Sequence, residues 1–171
     1  AVAVYDDGFG ISVPIELQTT KSSISKALTG FEKEKDTNGI KIYKCIGWDY
    51  PQLVKTFEEG INFCRKNQTP VVFHIYELTQ PLGHSTSGSH ERYKSKERLA
   101  WENEFDAVNQ MRKWMLETGI ADLEMIEEIE KSAQKRVKEA RKNAWNNYVN
   151  GFQKERESIV SILKKIDGKS D

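Results

Sequence analysis

Pro70-Val71-Val72-Phe73-His74-Ile75-Tyr76 is the stretch that decides the fold. Its near-continuous apolar character is typical of a strand covered on both faces, as in the interior of a parallel sheet. Just upstream, residues 53–66 place their apolar side chains on one helical face, and Asp49-Tyr50-Pro51 is a helix start. Residues 40–46 alternate apolar and polar positions, which indicates another strand. Strand, helix and strand joined by short connections predict a parallel α/β sheet.

The segments before this unit continue the α/β pattern. Val2–Tyr5 has strand character, and residues 22–31 predict a short helix that opens on serine caps. The chain starts at Ala1, without an initiator Met and directly in that strand. We therefore expect the N-terminus to be a boundary made by truncation or processing.

The segments after the sheet are charged and helical. Most charged residues follow Lys94, where residues 96–117 and 122–166 predict two helices. The second helix lacks the sustained heptad repeat of a coiled coil, and Asn150-Gly151 is a point where it can break. This part of the chain reads as a helical extension of the α/β domain.

Composition excludes some classes of function. Lys and Arg number 26 and Asp and Glu number 26, so no net charge attracts the chain to nucleic acid or to an anionic membrane. No apolar run approaches the length of a membrane span, and the N-terminus does not resemble a signal peptide. Cys45 and Cys64 lack metal-ligand spacing, so we expect reduced, buried thiols and a cytoplasmic location.

Two adjacent carboxylates, Asp6 and Asp7, follow the first strand in the segment Tyr5-Asp6-Asp7-Gly8-Phe9. Carboxylate and backbone carbonyl oxygens are the ligands that a hard cation takes, so this is a candidate metal site. An Asp-Gly pair between apolar runs is equally a signal for a tight β-hairpin turn. The residues alone leave both interpretations open.

A polar loop rich in Gly and Ser, Leu82-Gly83-His84-Ser85-Thr86-Ser87-Gly88, follows the buried strand and should lie at its carboxyl end, where open α/β sheets bind ligands. His84 beside several hydroxyls could transfer protons or hold a phosphate. A surface loop with an incidental histidine is the alternative. A Ser-His hydrolase is less favoured, because adjacent residues seldom reach the required geometry and no nucleophile elbow is present.

Three motifs together resemble the alpha-type half of the thiamine-diphosphate-dependent first component of 2-oxo acid dehydrogenases. Asp6-Asp7-Gly8-Phe9-Gly10-Ile11-Ser12-Val13-Pro14 resembles the Asn-Asn-Gly-Tyr-Ala-Ile-Ser-Thr-Pro segment of branched-chain members. Ile46-Gly47-Trp48-Asp49 resembles the Val-Asp-Gly-x-Asp segment before the next helix. Gly83-His84-Ser85-Thr86-Ser87, followed by Tyr93-Lys94-Ser95, is similar to the family's His-Ser-x-Ser loop and its closing Tyr-Arg.

The resemblance implies a three-layer parallel α/β fold that binds thiamine diphosphate and Mg²⁺. It places Asp7 and the backbone carbonyl of Phe9 as metal ligands, and Ile11 and Ser85 as cofactor contacts. His84 becomes the loop histidine that lies near the cofactor and assists acyl transfer. Ser85 also matches a serine that is phosphorylated in some mitochondrial relatives.

The implied reaction is the oxidative decarboxylation of a 2-oxo acid, here a branched-chain one on the subfamily likeness, with acyl transfer to a lipoyl group. The implied partners are a beta-type half, separate or fused, and a lipoyl-bearing acyltransferase. We expect residues 1–95, with the cofactor loop 81–95, to be the C-terminal part of the cofactor-binding domain, and residues 96–171 to be the helical extension. The family's Gly-Asp-Gly motif would precede Ala1, so we expect this chain alone to be inactive and to bind no cofactor.

Departures from the family pattern keep two rival interpretations open. Asp6-Asp7 replaces Asn-Asn, Leu78-Thr79-Gln80 stands where Thr-Tyr-Arg is common, and Lys94 replaces an arginine whose fork it cannot copy. A transketolase-like enzyme is the rival within the same cofactor class, although the His-Ser-Thr-Ser loop favours the dehydrogenases. The other rival is a non-catalytic α/β module whose charged helices bind a partner.

Overall fold

The predicted parallel sheet is present in a computed structural model of the chain, which describes residues 1–84 and 90–167. Strand β1 (Val2–Tyr5) and strand β4 (Lys41–Ile46) lie on either side of strand β5 (Val71–Tyr76) in the order β1-β5-β4. Both pairings are parallel, with Val4 and Lys44 opposite His74. Because β5 is paired along both edges, its apolar run fills the interior of the sheet, as the sequence predicts.

The remaining elements are short before β4 and helical after β5. A two-stranded antiparallel ladder joins β2 (Phe9–Gly10) and β3 (Val13–Pro14). The α-helices are α1 (Ile15–Gln18), α2 (Ile24–Ala27), α3 (Tyr50–Asn67), α4 (Lys96–Glu104), α5 (Ala107–Glu117) and α6 (Leu123–Asp167), and the 3₁₀ turns are Thr20–Ser22, Thr29–Phe31 and His90–Arg92. The chain divides into two units, Ala1–Ile120 and Ala121–Asp171, of which the second is described to residue 167.

Helix α3 covers one face of the sheet. It starts where the sequence predicts, because the Asp49 side chain accepts a hydrogen bond from the Gln52 N–H. Phe57 stacks on Phe73 of β5 with ring centroids 4.2 Å apart. Phe73 is only 1% exposed, and it shares the core with three further fully buried side chains, Cys45, Val71 and Ile75.

Two of the segments that were predicted to be single helices differ in detail in the structure. Residues 22–31 form a four-residue helix capped by Ser23 and then a 3₁₀ turn. Residues 96–117 form two helices, because the Asp106 carboxylate accepts hydrogen bonds from the Val108 and Asn109 N–H groups and starts α5 anew.

The prediction that the last helix can break at Asn150-Gly151 is wrong, since α6 is continuous. One glycine costs a helix only about 1 kcal/mol relative to alanine, too little to end a helix of this length. Among the described residues, no helix is long and apolar enough to cross a membrane. The functional division at residue 95 stays a prediction.

Gly60 in α3 gives a test of this packing. A Cβ at Gly60 would overlap Cε1 and Cζ of Phe73, whereas a Cβ at Gly151 would meet nothing within 4 Å. We expect Gly60→Ala to lower the free energy of unfolding by about 1–3 kcal/mol through overpacking. Gly151→Ala should raise the helix stability by about 0.5–1 kcal/mol. Urea unfolding followed by circular dichroism measures both, and a stabilising Gly60→Ala would mean that α3 packs less closely on the sheet.

Candidate functional site

After the carboxyl end of β1, the segment Asp6-Asp7-Gly8 forms two successive turns. Each turn is closed by a hydrogen bond from a backbone N–H to an Asp side chain. The Gly8 N–H donates to Asp6 Oδ1 over 2.9 Å, and the Phe9 N–H donates to Asp7 Oδ1 over 3.0 Å. A hairpin does follow, but its strands are β2 and β3 and its tip is Ile11-Ser12. The Asp-Gly pair is therefore not the hairpin tip, because the two carboxylates hydrogen-bond to their own backbone.

Asp6 is held in place by a buried histidine. His74 Nε2 lies 2.8 Å from Asp6 Oδ2, and His74 Nδ1 lies 2.9 Å from the Ser25 hydroxyl. His74 and Ser25 are 3% and 4% exposed. When the imidazole is neutral, Nε2–H donates to the carboxylate and the Ser25 hydroxyl donates to Nδ1. Both carboxylate oxygens of Asp6 thus have protein partners, which makes Asp6 a structural residue of the turn.

Asp7 and Phe9 offer oxygen atoms that fit a hard cation. Within the part of the chain that the structure describes, Asp7 uses only Oδ1 to accept a hydrogen bond. The Ile15 N–H donates to the Gly8 carbonyl over 2.9 Å, so Phe9 and Pro14 form a non-hydrogen-bonded pair of the ladder and the Phe9 carbonyl points away from β3. No three His, Cys, Asp or Glu side chains converge on a metal site within residues 1–84 and 90–167. Two ligands suit Mg²⁺, which commonly completes its shell with phosphate oxygens and water.

A cavity of about 280 Å³ adjoins this turn at the carboxyl end of the sheet. Asp7 and Gly8 line it beside three basic side chains and two further carboxylates, those of Lys26, Lys44, Arg98, Asp6 and Glu77. The volume lies just below the usual range of ligand-pocket sizes, roughly 300–1,000 Å³. The cavity can take the charged end of a ligand, an anionic group together with a cation.

Ile11 has an unusual backbone conformation at the hairpin tip. Its φ is +61°, in the left-handed region, and its side chain is 63% exposed. A β-branched residue is strained there, and such strain concentrates at functional sites. The structure therefore presents Ile11 outward from the turn that carries the two candidate metal ligands.

The structure describes only part of the loop at residues 81–95. His84 is exposed, and it makes no hydrogen bond with Asp7 or Phe9 within the described residues. Ser85 lies outside the described residues. A second cavity of about 560 Å³ lies against the loop and is lined by Gly83, His90, Glu102 and their neighbours. Burial raises the pKa of the Cys45 thiol, so neutral pH does not favour Cys45 as a nucleophile.

Sequence analysis missed a buried ionic cluster of Lys94, Arg98 and Glu102. Lys94 Nζ donates to both carboxylate oxygens of Glu102 over 2.8 Å, and Arg98 Nε donates to Glu102 Oε1 over 2.8 Å. Arg98 Nη2 also donates to the backbone carbonyl of Asp7 over 3.0 Å. Arg98 and Glu102 are four residues apart in a charged helix, the usual pattern of a surface ion pair. Only the tertiary contact with Asp7 distinguishes this cluster from such a pair.

Comparison with known proteins confirms the resemblance. The family model of the dehydrogenase E1 component matches residues 6–151, so the chain belongs to that family. It is of the alpha type. The pyruvate dehydrogenase E1 component subunit alpha of Rickettsia bellii (strain RML369-C) is 30% identical over 108 residues, which are 63% of this chain and 32% of the relative.

A second relative agrees with the first. The subunit of the same name in Rickettsia felis (strain ATCC VR-1525 / URRWXCal2) is 29% identical over 115 residues, which are 67% of this chain and 35% of the relative. The chain thus spans about a third of the length of these relatives. The activity of the whole protein is therefore a matter for proposal.

Ile11→Asn tests the strain at the hairpin tip. Asn tolerates left-handed backbone better than Ile, and little apolar burial is lost at an exposed side chain. We expect the free energy of unfolding to rise by about 1 kcal/mol in chemical denaturation. Val13→Asn in the adjoining strand β3 is the control and should bring no gain. A loss of stability in Ile11→Asn would show that the isoleucine packs usefully where it stands.

Proposed function

We propose that this chain provides part of the thiamine diphosphate and Mg²⁺ site of a 2-oxo acid dehydrogenase. The observation that carries the proposal is the pair of turns at residues 6–9. They present the Asp7 carboxylate and the Phe9 carbonyl near a cavity that is lined by both basic and acidic side chains at the carboxyl end of a parallel sheet. We also propose that the complete domain has three layers. In this chain, α3 covers one face of the sheet.

In this proposal the chain's own residues bind, orient and transfer protons. Asp7 and the Phe9 carbonyl would hold the Mg²⁺, while Lys26 and Lys44 would offset the charge of the diphosphate. Thiamine diphosphate, when bound, supplies the nucleophilic carbon and the electron sink.

The hairpin tip and the loop complete the proposed site. Ile11 contacts the cofactor from the hairpin tip, and Ser85 contacts it from the loop. His84 assists acyl transfer by moving a proton, and the loop that carries it excludes water when it closes.

The replacement of Asn-Asn by Asp6-Asp7 is compatible with this role. The Asp6 carboxylate accepts hydrogen bonds from His74 and from the Gly8 backbone, so its charge is engaged by the protein. Because both Asp6 oxygens already accept hydrogen bonds, Asp7 is the carboxylate of the pair that is left to bind the metal, and a divalent cation attracts it. His74, which stands in the centre of the sheet, is the residue that makes the first Asp acceptable.

The proposed substrate is a 2-oxo acid, and pyruvate is the first to test. The two relatives named above are pyruvate dehydrogenase subunits, and neither name supports a branched-chain preference. We propose a beta-type half and a lipoyl-bearing acyltransferase as partners, with acyl transfer to the lipoyl group. We also propose that the protein is cytoplasmic, that Ser85 can be phosphorylated, and that this chain alone is inactive.

Metal binding gives the direct test. In the complete protein with its beta-type half, we expect Asp7→Ala to weaken Mn²⁺ binding by about tenfold or more, because an oxygen that binds the metal is lost. Glu58→Ala, which removes an exposed carboxylate from α3, should leave the affinity unchanged. Calorimetric titration of Mn²⁺ and thiamine diphosphate measures both, with this chain titrated alongside. Equal affinities in the two variants would remove Asp7 from the site.

His84→Ala tests the loop. We expect the variant enzyme to decarboxylate the 2-oxo acid with an artificial electron acceptor at nearly the wild-type rate. Acylation of a lipoyl domain should fall roughly 100-fold, because the positioned acid–base group is lost. Leu82→Ala, an exposed position of the same loop, is the control. Full lipoyl acylation in His84→Ala would contradict the role of this histidine.

A further inference from the structure

We propose that Arg98 is a positioning residue that clamps the Asp7-Gly8-Phe9 turn and couples it to the loop base, defined here as residues 90–94. The coupling runs through Glu102 and Lys94. The inference rests on the proposed function only in naming the turn as the metal-ligand turn. The clamp itself is defined by contacts among residues of the first unit.

The first route from turn to loop base is a chain of hydrogen bonds. The Arg98 guanidinium donates through Nη2 to the Asp7 carbonyl and through Nε to Glu102 Oε1. Glu102 in turn accepts from Lys94 Nζ on both oxygens. Lys94 ends the loop base, where its own N–H donates to the His90 carbonyl over 2.8 Å. An unbroken path therefore leads from the Asp7 backbone to the 3₁₀ turn at residues 90–92.

The second route is aromatic and independent of Glu102. The rings of Phe9 and Tyr93 meet edge to face with centroids 5.8 Å apart. Lys94 Nζ lies 4.9 Å from the centre of the Phe9 ring, and Arg98 Cζ lies 5.5 Å from it. A cation over an aromatic face adds attraction, most strongly where water is excluded. Both ends of the turn, Asp7 and Phe9, are thus contacted by Arg98, and Phe9 also contacts Tyr93 and Lys94.

Burial makes the ionic route a rigid one. The Lys94 and Glu102 side chains are 1% and 3% exposed, whereas the Arg98 side chain is 29% exposed. Removing one partner of a buried pair leaves an uncompensated charge, so the pair resists separation. Arg98 is the accessible member and bridges two acceptors with the planar fork of its guanidinium. Lysine has a single ammonium on a flexible stem and cannot hold that geometry.

The functional consequence is a linkage between metal and loop. If the turn and the loop base move together, a ligand that orders the turn also orders the base of the loop that carries His84. By reciprocity, a loop base that is held in place then favours the ligand-binding form of the turn by the same factor. Arg98 is the residue through which each segment affects the other.

Hydrogen exchange of this chain, without metal or cofactor, tests the clamp. In Arg98→Lys we expect the Gly8 and Phe9 amides to exchange about tenfold faster, together with the Tyr93 and Lys94 amides. The amides of α3 should keep their wild-type protection, which reports global stability. Arg65→Lys, at an exposed position near the end of α3, is the matched control and should change none of these rates.

Glu102→Gln provides a second variant on the same path. It keeps the side-chain size but removes the charge that joins Lys94 to Arg98, so exchange should rise at the loop base and at the turn together. The variant is compared with the wild type at denaturant concentrations that leave α3 equally protected. Exchange within twofold of the wild type at Gly8 and Phe9 in both variants, with faster exchange confined to α4, would overturn the clamp.

The complete protein separates this inference from the proposed function. Faster exchange at the turn in Arg98→Lys, with no Mn²⁺ binding even by the wild-type protein, supports the clamp and removes the metal site. Normal Mn²⁺ binding in the wild type with unchanged exchange in the variant removes the clamp and leaves the proposed function. Faster exchange together with several-fold weaker Mn²⁺ binding in Arg98→Lys supports both.

Discussion

The pairing of β5 along both edges, with α3 packed on one face, is the constraint on which the rest of the structure depends. A central strand must satisfy its backbone in two ladders and bury its side chains, which is why Val71, Phe73 and Ile75 are almost completely enclosed. Phe73 meets the Phe57 ring on α3, and Gly60 lets the helix approach that ring closely. Parallel pairing also brings the carboxyl ends of all three strands to one edge, so the connections that follow them meet there.

His74 shows how the same strand serves the site as well as the core. It lies opposite Val4 of β1 and Lys44 of β4, and its buried imidazole hydrogen-bonds to Asp6 and Ser25. A buried polar side chain is tolerated when its hydrogen bonds are satisfied, and both ring nitrogens here have partners. The turn at residues 6–9 is therefore anchored from the centre of the sheet.

A second anchor reaches the turn from the far side of the loop. Arg98 and Lys94 follow residues 81–93 in sequence, yet Arg98 contacts Asp7 and Phe9, and Lys94 contacts Phe9. The turn thus lies between a histidine of the sheet and a guanidinium of α4. Such support on two sides limits the freedom of a short segment that has two candidate metal ligands.

The sequence by itself determined the elements and the motif. Apolar periodicity predicted β4, α3 and β5, Asp49 and Pro51 predicted the start of α3, and motif order indicated the family that the comparisons confirm. These features are local, because periodicity and capping depend on residues a few positions apart. Only the tertiary structure decided that Asp6 is structural, that Ile11 is strained, and that Arg98 reaches Asp7. The Ile11 conformation is set by the β2–β3 hairpin, while the roles of Asp6 and Arg98 depend on contacts between residues 68 and 91 positions apart, about which a local pattern has no information.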